Sequence, residues 1–338
     1  MATTACGEPI AARAESSRRV AGSAMLRAIR RRLLGIDPRE VLLARRGVTA
    51  VDSRAGARLE QIGETFVSGY HAALESADDS ELAQRLEAVE RERRGFAYEG
   101  AAMALYLLDA LTPWNRSRWQ RFVNGPGNAH AYMIYVGAGW AMARLPMGIG
   151  KSLSQMDSLL RWLAIDGWAF HDAYFHPAST VQRGERPRRL RGHALRAWDM
   201  GLGRGLWFAL GADVSQIAER IGSMDTDRRA DLWSGVGLAC AYAGGVESTD
   251  IELLCALAVE HRYWLGQGAS FAAKARQRAG NPADHTDLAC RLLCGLSAET
   301  AAQITDACLE KIAPDDGDGR AFDAWRAAIA ARLREVVA

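Results

Sequence analysis

Lysine is scarce in this chain: Lys151, Lys274 and Lys311 stand against 39 arginines. Strand-length alternation of apolar and polar residues is missing too, which argues against sandwiches, barrels and βαβ units. Neither charge sign is in excess. The 42 basic and 40 acidic side chains leave a net charge of +2, too little bulk field to grip nucleic acid. The longest uncharged stretch, 122–143, carries Asn-Gly-Pro-Gly-Asn near its start and His130 further on. Its apolar part is too short to cross a bilayer. Residues 1–24 lack an apolar segment of the secretory kind and read as a flexible extension, with Met25 as the expected natural start. The six cysteines have no framework spacing, so buried free thiols in the cytoplasm are expected. A Cys290/Cys294 metal pair has no CxxC partner.

What is present points to helices. Hydrophobic residues make up 49% of the 338, ample for one large or two medium domains. Apolar residues recur at three- and four-residue steps, as in Leu59, Ile62, Phe66, Tyr70 and Leu74. Helices are expected over 58–75, 81–93, 98–111, 130–145, 153–176, 190–210 and 214–221. Others are expected over 228–242, 250–263, 270–278, 286–293, 298–312 and 320–337. Stops fall at Pro113, Pro146, Pro177, Gly244-Gly245 and Pro282, with capping side chains at Asp225 and Ser297. The class is all-α.

An internal repeat organises these helices. Ala83-Gln84-Arg85-Leu86, Arg93-Arg94 and Gly100 match Ala218-Glu219-Arg220-Ile221, Arg228-Arg229 and Gly235 at an offset of 135 positions. His130-x-Tyr132 and Gly137 match His261-x-Tyr263 and Gly268 at 131, and Gly69 aligns with Gly205 at 136. The expectation is two pseudo-symmetric helical halves from an internal duplication, with a ligand cleft at their seam. The boundaries read as an extension (1–24), a basic amphipathic helix and linker (25–54) and repeat 1 (55–177). A basic connector (178–189), repeat 2 (190–313) and an acidic turn with a C-terminal helix (314–338) follow. In 25–36, Leu26, Ile29, Leu33 and Leu34 form a stripe among arginines. It either covers the body or attaches to a partner or an anionic membrane. The arginine-rich connector reads as a solvated linker or a site for an acidic partner.

Chemistry concentrates around 166–177, where Asp166, His171, Asp172, His176 and several aromatics fall within twelve residues. Asp172 and His176 share a helical face, whereas His171 and His176, five apart, diverge. The cluster reads as a structural hydrogen-bond network, an oriented base or half of a metal site, the last to be completed by Glu99 or His130. Glu99 stands in an apolar helix, where its repeat-mate is Ser234, and needs a partner or a raised pKa. The candidate catalytic residues are Glu99, His130, His171, Asp172 and His176, with a non-haem metal as the cofactor this set would suit. The candidate substrate-binding residues are Tyr132, Trp140, Trp168, Tyr174, Trp233, His261 and Tyr263, an aromatic set suited to a flat apolar ligand. Gly201-x-Gly203-Arg204-Gly205 follows a helical pattern rather than a strand, so it is no phosphate loop.

The strings RRGFAYEGAAMALYLLDALTPW, HAYMIYVGAGWAMARLP, LLRWLAIDGWAFHDAYFH, RRADLWSGVGLACAYAGG and AAKARQRAGNPADHTDLACRLLCG resemble the UnbL-type family of unknown-function proteins. The resemblance covers about residues 25–310. It implies a place beside the enediyne polyketide synthase of actinobacterial gene clusters, with UnbV- and UnbU-type proteins as companions. The implied role is forming or maturing the enediyne core from a linear polyene or polyyne polyketide, with an oxidative step as one version. The alternative is a non-catalytic helical scaffold that docks pathway partners. No site residue is carried over from the family.

Overall fold

The computed structural model describes residues 25–112, 114, 116–145, 149–314 and 318–337. Among them there is no strand. The first helices are α1 (25–34), α2 (Leu43–Arg46), α3 (Ser53–Glu75), α4 (Asp79–Glu87), α5 (Arg94–Leu111) and α6 (Arg118–Asn124). Then come α7 (Ala131–Arg144), α8 (Ile149–Ser154), α9 (Trp162–Phe175), α10 (His193–Ala209), α11 (Val214–Gly222) and α12 (Thr226–Ala243). The chain ends with α13 (Ser248–Ala258), α14 (Arg262–Ala279), α15 (Asp284–Cys294), α16 (Ala298–Leu309) and α17 (Arg320–Val337). The all-α class expected from periodicity holds. The 1–24 extension, the Pro113 and Pro146 stops and the acidic turn at 315–317 lie outside the described residues.

Helix starts follow local chemistry. Asp78 caps α4 by accepting from the Ser80 and Glu81 amides, and Asp213 caps α11 in the same way through Ser215 and Gln216. Ser297 caps α16, but Asp225 precedes α12 without a side-chain bond. The long helices then pack in succession: α3 on α5, α5 on α7, α7 on α9, α9 on α10, α10 on α12 and α12 on α14. Glycines allow this. A Cβ on Gly100 would collide with the Phe66 carbonyl, and one on Gly69 with the Ala97 carbonyl, so α3 and α5 touch backbone to backbone. Gly235 meets the Met200 carbonyl and Gly203 meets that of Leu232, which joins α10 to α12 likewise. Such close approach admits Cα–H···O contacts between helices.

The same contacts therefore recur in the same order along the chain. Gly137 of α7 meets the Glu99 carbonyl of α5, and Gly268 of α14 meets the Ser234 carbonyl of α12. One register differs from the sequence alignment. The partner of Gly69 in this scheme is Gly203 rather than Gly205, because Gly205 faces Ala173 of α9 instead.

Other expectations are corrected. The helix foreseen over 153–176 is interrupted between Ser154 and Trp162, and that over 250–263 breaks where Val259 takes a positive φ of 38°. The connector is solvated at Arg183 and Arg188 but anchored at two points. Arg186 pairs with buried Asp199, which also holds Arg228, while Arg189 lies over the Trp168 ring, 4.3 Å from its centroid. Of the α1 stripe only Leu34 packs on the body: Leu26, Ile29 and Leu33 are exposed, as is Met25 before them.

Replacing Gly100 with alanine is expected to cost about 2 kcal/mol or more through overpacking. Gly222→Ala, at a helical position with open space, should be neutral or stabilise by up to about 1 kcal/mol. Guanidinium unfolding of the two variants measures the contrast.

Candidate functional site

Two apolar cavities flank a buried group of charges at the centre of the helix array. The first is walled by Phe66, Phe96, Trp140, Phe170, Tyr174 and Phe208, with Glu99 as its one acidic group. The second, between α7, α10, α12, α14 and α17, is lined by Tyr132, Leu238, Phe271, Phe322 and Trp325 and bounded by Arg204. Each leaves free room of about 30 Å³, enough for a water or two and far short of a polyene chain.

Glu99 and Arg204 stand between the cavities because of the glycine contacts. The Glu99 carbonyl is the atom that Gly137 touches, and the Asp166 carbonyl is the one that Gly201 touches. Their side chains therefore start from helix crossings that exclude water. Asp166 is fully buried, and its Oδ1 lies 2.7 Å from Nη2 of Arg204. Burial lifts Asp166 to about 6, opposed by Arg204 and Arg326. Burial lifts Glu99 further, to about 8, with Arg204 opposing and the neighbouring Asp166 adding to the rise. Glu99 is therefore a neutral carboxylic acid at pH 7, and its Oε1 has no hydrogen-bond partner. Asp166 was noted in the 166–177 cluster and Arg204 in the glycine motif, but neither stood among the candidate site residues. The available signal was an acid and a base each flanked by apolar residues and glycine, Asp166 in LAIDGWAF and Arg204 in MGLGRGLWFAL; opposite charges so placed are candidates to pair.

The 166–177 segment builds a separate group. The ligand atoms of His171, Asp172 and His176 lie within 4.8 Å of one another, against the expectation that the two imidazoles diverge. The reason is that α9 stops at Phe175. His176 caps it with φ −128° and ψ 48°, so the imidazole leaves the helical path. Both ring nitrogens of His171 are nevertheless engaged: Nδ1 lies 2.9 Å from Asp172 Oδ1, and Nε2 accepts from Arg144 Nε at 3.1 Å. Burial lowers the His171 pKa. A metal ion there would have to displace or face a guanidinium, so the group fits a neutral, oriented imidazole better.

Neither proposed completing ligand joins that group. His130 precedes α7 and stacks on Tyr98 with centroids 4.0 Å apart, whereas Arg144 at the far end of α7 meets His171. The length of α7 separates them, roughly 20 Å. Burial lowers His130 to about 4, with Arg94 adding to the fall, which leaves it a neutral packing residue. Glu99 remains at the cavity wall beside Trp140, and Trp140 meets His171 edge-on at 5.6 Å.

The aromatic set divides in the same way. Trp140 and Tyr174 line the first cavity and Tyr132 the second. Trp168 packs edge-on to Trp198, Trp233 is buried in α12, and His261 and Tyr263 sit at the start of α14, with Arg334 over the Tyr263 ring. These four line neither cavity. Cys290 and Cys294 are also removed from the ligand candidates, since their thiols bond the Ala269 and Gly266 carbonyls.

Residues 25–333 match the family described as a protein of unknown function, DUF1702. The chain belongs to that family. No curated protein and no solved structure matches it. For this DUF1702 chain the site thus stands on its own geometry.

The first cavity has a roof. Ile36 and Val41 close it, with few bonds holding the segment down: the Ile36 amide donates to His71 Nε2 at 3.2 Å, the Tyr70 hydroxyl to the Leu34 carbonyl at 2.7 Å, and the Leu43 amide to Glu60 at 2.9 Å. Burial lowers the pKa of His71, with Arg31 adding to it, and the neutral ring keeps its acceptor. In a His71→Ala variant the Ile36 amide should exchange about tenfold faster, the worth of roughly one hydrogen bond, as read by hydrogen-exchange NMR.

Glu99 also sets a pH dependence. Its folded pKa lies above its unfolded value, so the folded state holds the proton longer. Stability is full below about pH 4.5 and falls as pH rises toward about 8. The loss reaches up to about 5 kcal/mol. Glu99→Gln should flatten that slope and raise the melting temperature at pH 8, as measured by calorimetry across the window.

Proposed function

We propose that the chain acts in forming or maturing an enediyne core, holding a linear conjugated polyketide against Glu99 in the aromatic cavity. One observation carries this reading: a buried carboxyl, neutral at pH 7 and with Oε1 unpartnered, in an otherwise apolar aromatic wall. Such an acid suits proton transfer to an apolar chain. It gives its proton to one carbon of the conjugated system, whose positive charge spreads along the chain, and the resulting carboxylate takes a proton back from another carbon. The step shifts double bonds without net oxidation. Arg204 behind Glu99 favours the carboxylate while it exists, and Asp166, already paired with Arg204, opposes it and so promotes return of the proton. The geometry favours this version over a metal-dependent oxidative one, because Arg144 occupies His171 Nε2. The cavity must open to admit a chain, and the lightly held 36–43 roof is the segment placed to do so. The recurring glycine contacts support reading the two helical series as descendants of one unit, with the carboxyl kept in one of them. The pathway itself rests on the resemblance of the motif strings.

A second reading has its own support: with free room of only about 30 Å³, the chain could serve as a binding subunit for companion proteins, without chemistry.

The two separate in a producing strain that lacks the gene. Glu99→Gln is expected to fold and to lower core formation at least about tenfold, while Val67→Phe, which fills the cavity, abolishes the enhanced fluorescence of a bound conjugated tetraene acid. Full restoration of product by Glu99→Gln would overturn the catalytic reading in favour of the subunit.

A further inference from the structure

Helix α1 turns its faces against the usual order. Met25, Leu26, Ile29 and Leu33 point to solvent, with Leu33 at 75% exposure, while Arg27, Arg30 and Arg31 lie half-buried toward the body. The body holds it in that pose. Arg31 Nε pairs with Glu75 at 3.1 Å, and the other Glu75 oxygen takes Arg85 at 2.9 Å. The Tyr70 hydroxyl grips the Leu34 carbonyl just past the outward stripe. Arg30 lies near Arg118, which closes the neighbouring turn by bonding Asp109 and Thr112. That turn exposes Leu111 and Trp114, the latter at 82%.

We propose that α1, with Leu111 and Trp114 beside it, docks this protein on an anionic lipid surface. The outward side chains suit the boundary between headgroups and acyl chains, where a tryptophan is also at home. No acid stands in 25–36, and exposed Arg32 and partly exposed Arg30 border the apolar stripe at helical spacing, where they suit acidic headgroups. Other occupants fit less well. Residues 1–24 offer few large apolar side chains, chiefly Ile10 and Val20, to cover the stripe. A second copy laid on the same face would bring two arginine-rich helices together. Among the described residues no helix is long and apolar enough to cross a membrane, so the contact is peripheral. Docking does not depend on the function proposed above. It gains a consequence if that function holds, because only Gly35 separates α1 from Ile36 of the cavity roof, which brings the roof close to the lipid surface.

The test is flotation of the full chain with phosphatidylcholine vesicles, with and without about 30 mol% phosphatidylserine. The wild-type chain should float at least about tenfold more on the anionic vesicles, and high salt should weaken that binding. The exposed-residue variant Leu26→Ser/Ile29→Ser/Leu33→Ser should lose it with its circular dichroism unchanged, and Trp114→Ala should lose part of it. Glu99→Gln and Val67→Phe should float like the wild type, which keeps this outcome independent of the cavity. Equal flotation of the wild type and the triple variant, or none by either, would overturn the proposal. So would a dimer in light scattering that the triple variant abolishes, which would assign the face to a second copy.

Discussion

Backbone-to-backbone contact between successive long helices is the constraint on which this structure rests. Where a glycine meets a carbonyl of the next helix, as at Gly100 with Phe66 or Gly235 with Met200, no side chain stands between the axes. Side chains at the crossing must project above or below the contact, into layers shared with further helices. Water has no route between the backbones. A polar side chain that starts at such a crossing is therefore desolvated by the fold itself, before any specific partner is considered. Glu99 and Asp166 both start there. Their raised pKa values follow from the glycines opposite them as much as from their own surroundings.

The same constraint accounts for part of the arginine excess. Arg204, Arg228, Arg276 and Arg326 are buried, and each is tied to a fixed oxygen: Asp166, Asp199, the Tyr242 carbonyl and Asp231. A planar guanidinium with several donors can satisfy such arrangements, where a lysine ammonium would bring a stronger hydration cost and no fork. At least these four of the 39 arginines do structural work that lysine does poorly. Ion pairs of this kind add little net stability over apolar packing, but breaking one leaves an uncompensated charge in the interior. They fix which helix faces which.

Sequence periodicity was enough to read the helical class and most long helices, because their apolar stripes are wide and their glycines recur at matched positions. Short elements escaped it. α6, seven residues from Arg118 to Asn124, is too brief to show a stripe, and the break between Ser154 and Trp162 is hidden because Leu153, Met156, Leu160 and Leu163 keep the helical spacing across it. The Gly69–Gly205 alignment erred by two positions because α10 carries three glycines on alternate residues, and only contact with α12 shows which one matters. His171 and His176 were misjudged for a geometric reason. Five-residue spacing diverges on a helix, but the helix ends between them. Glu99 was legible as an anomaly in an apolar run, whereas Arg204 was masked by its glycines.

Whether Glu99 is there for packing can be argued from its counterpart. Ser234 occupies the corresponding place on α12, and its carbonyl meets Gly268 as that of Glu99 meets Gly137. Its hydroxyl is satisfied by Gln267 at 2.7 Å. The crossing is thus built with a small, fully bonded side chain in one series and a larger, incompletely bonded acid in the other. Packing alone accepts the serine. The carboxyl instead costs free energy at neutral pH, with an oxygen left unpartnered at the edge of an aromatic cavity. A destabilising group that the architecture demonstrably does without is more readily explained by what it does to a ligand than by what it does for the fold.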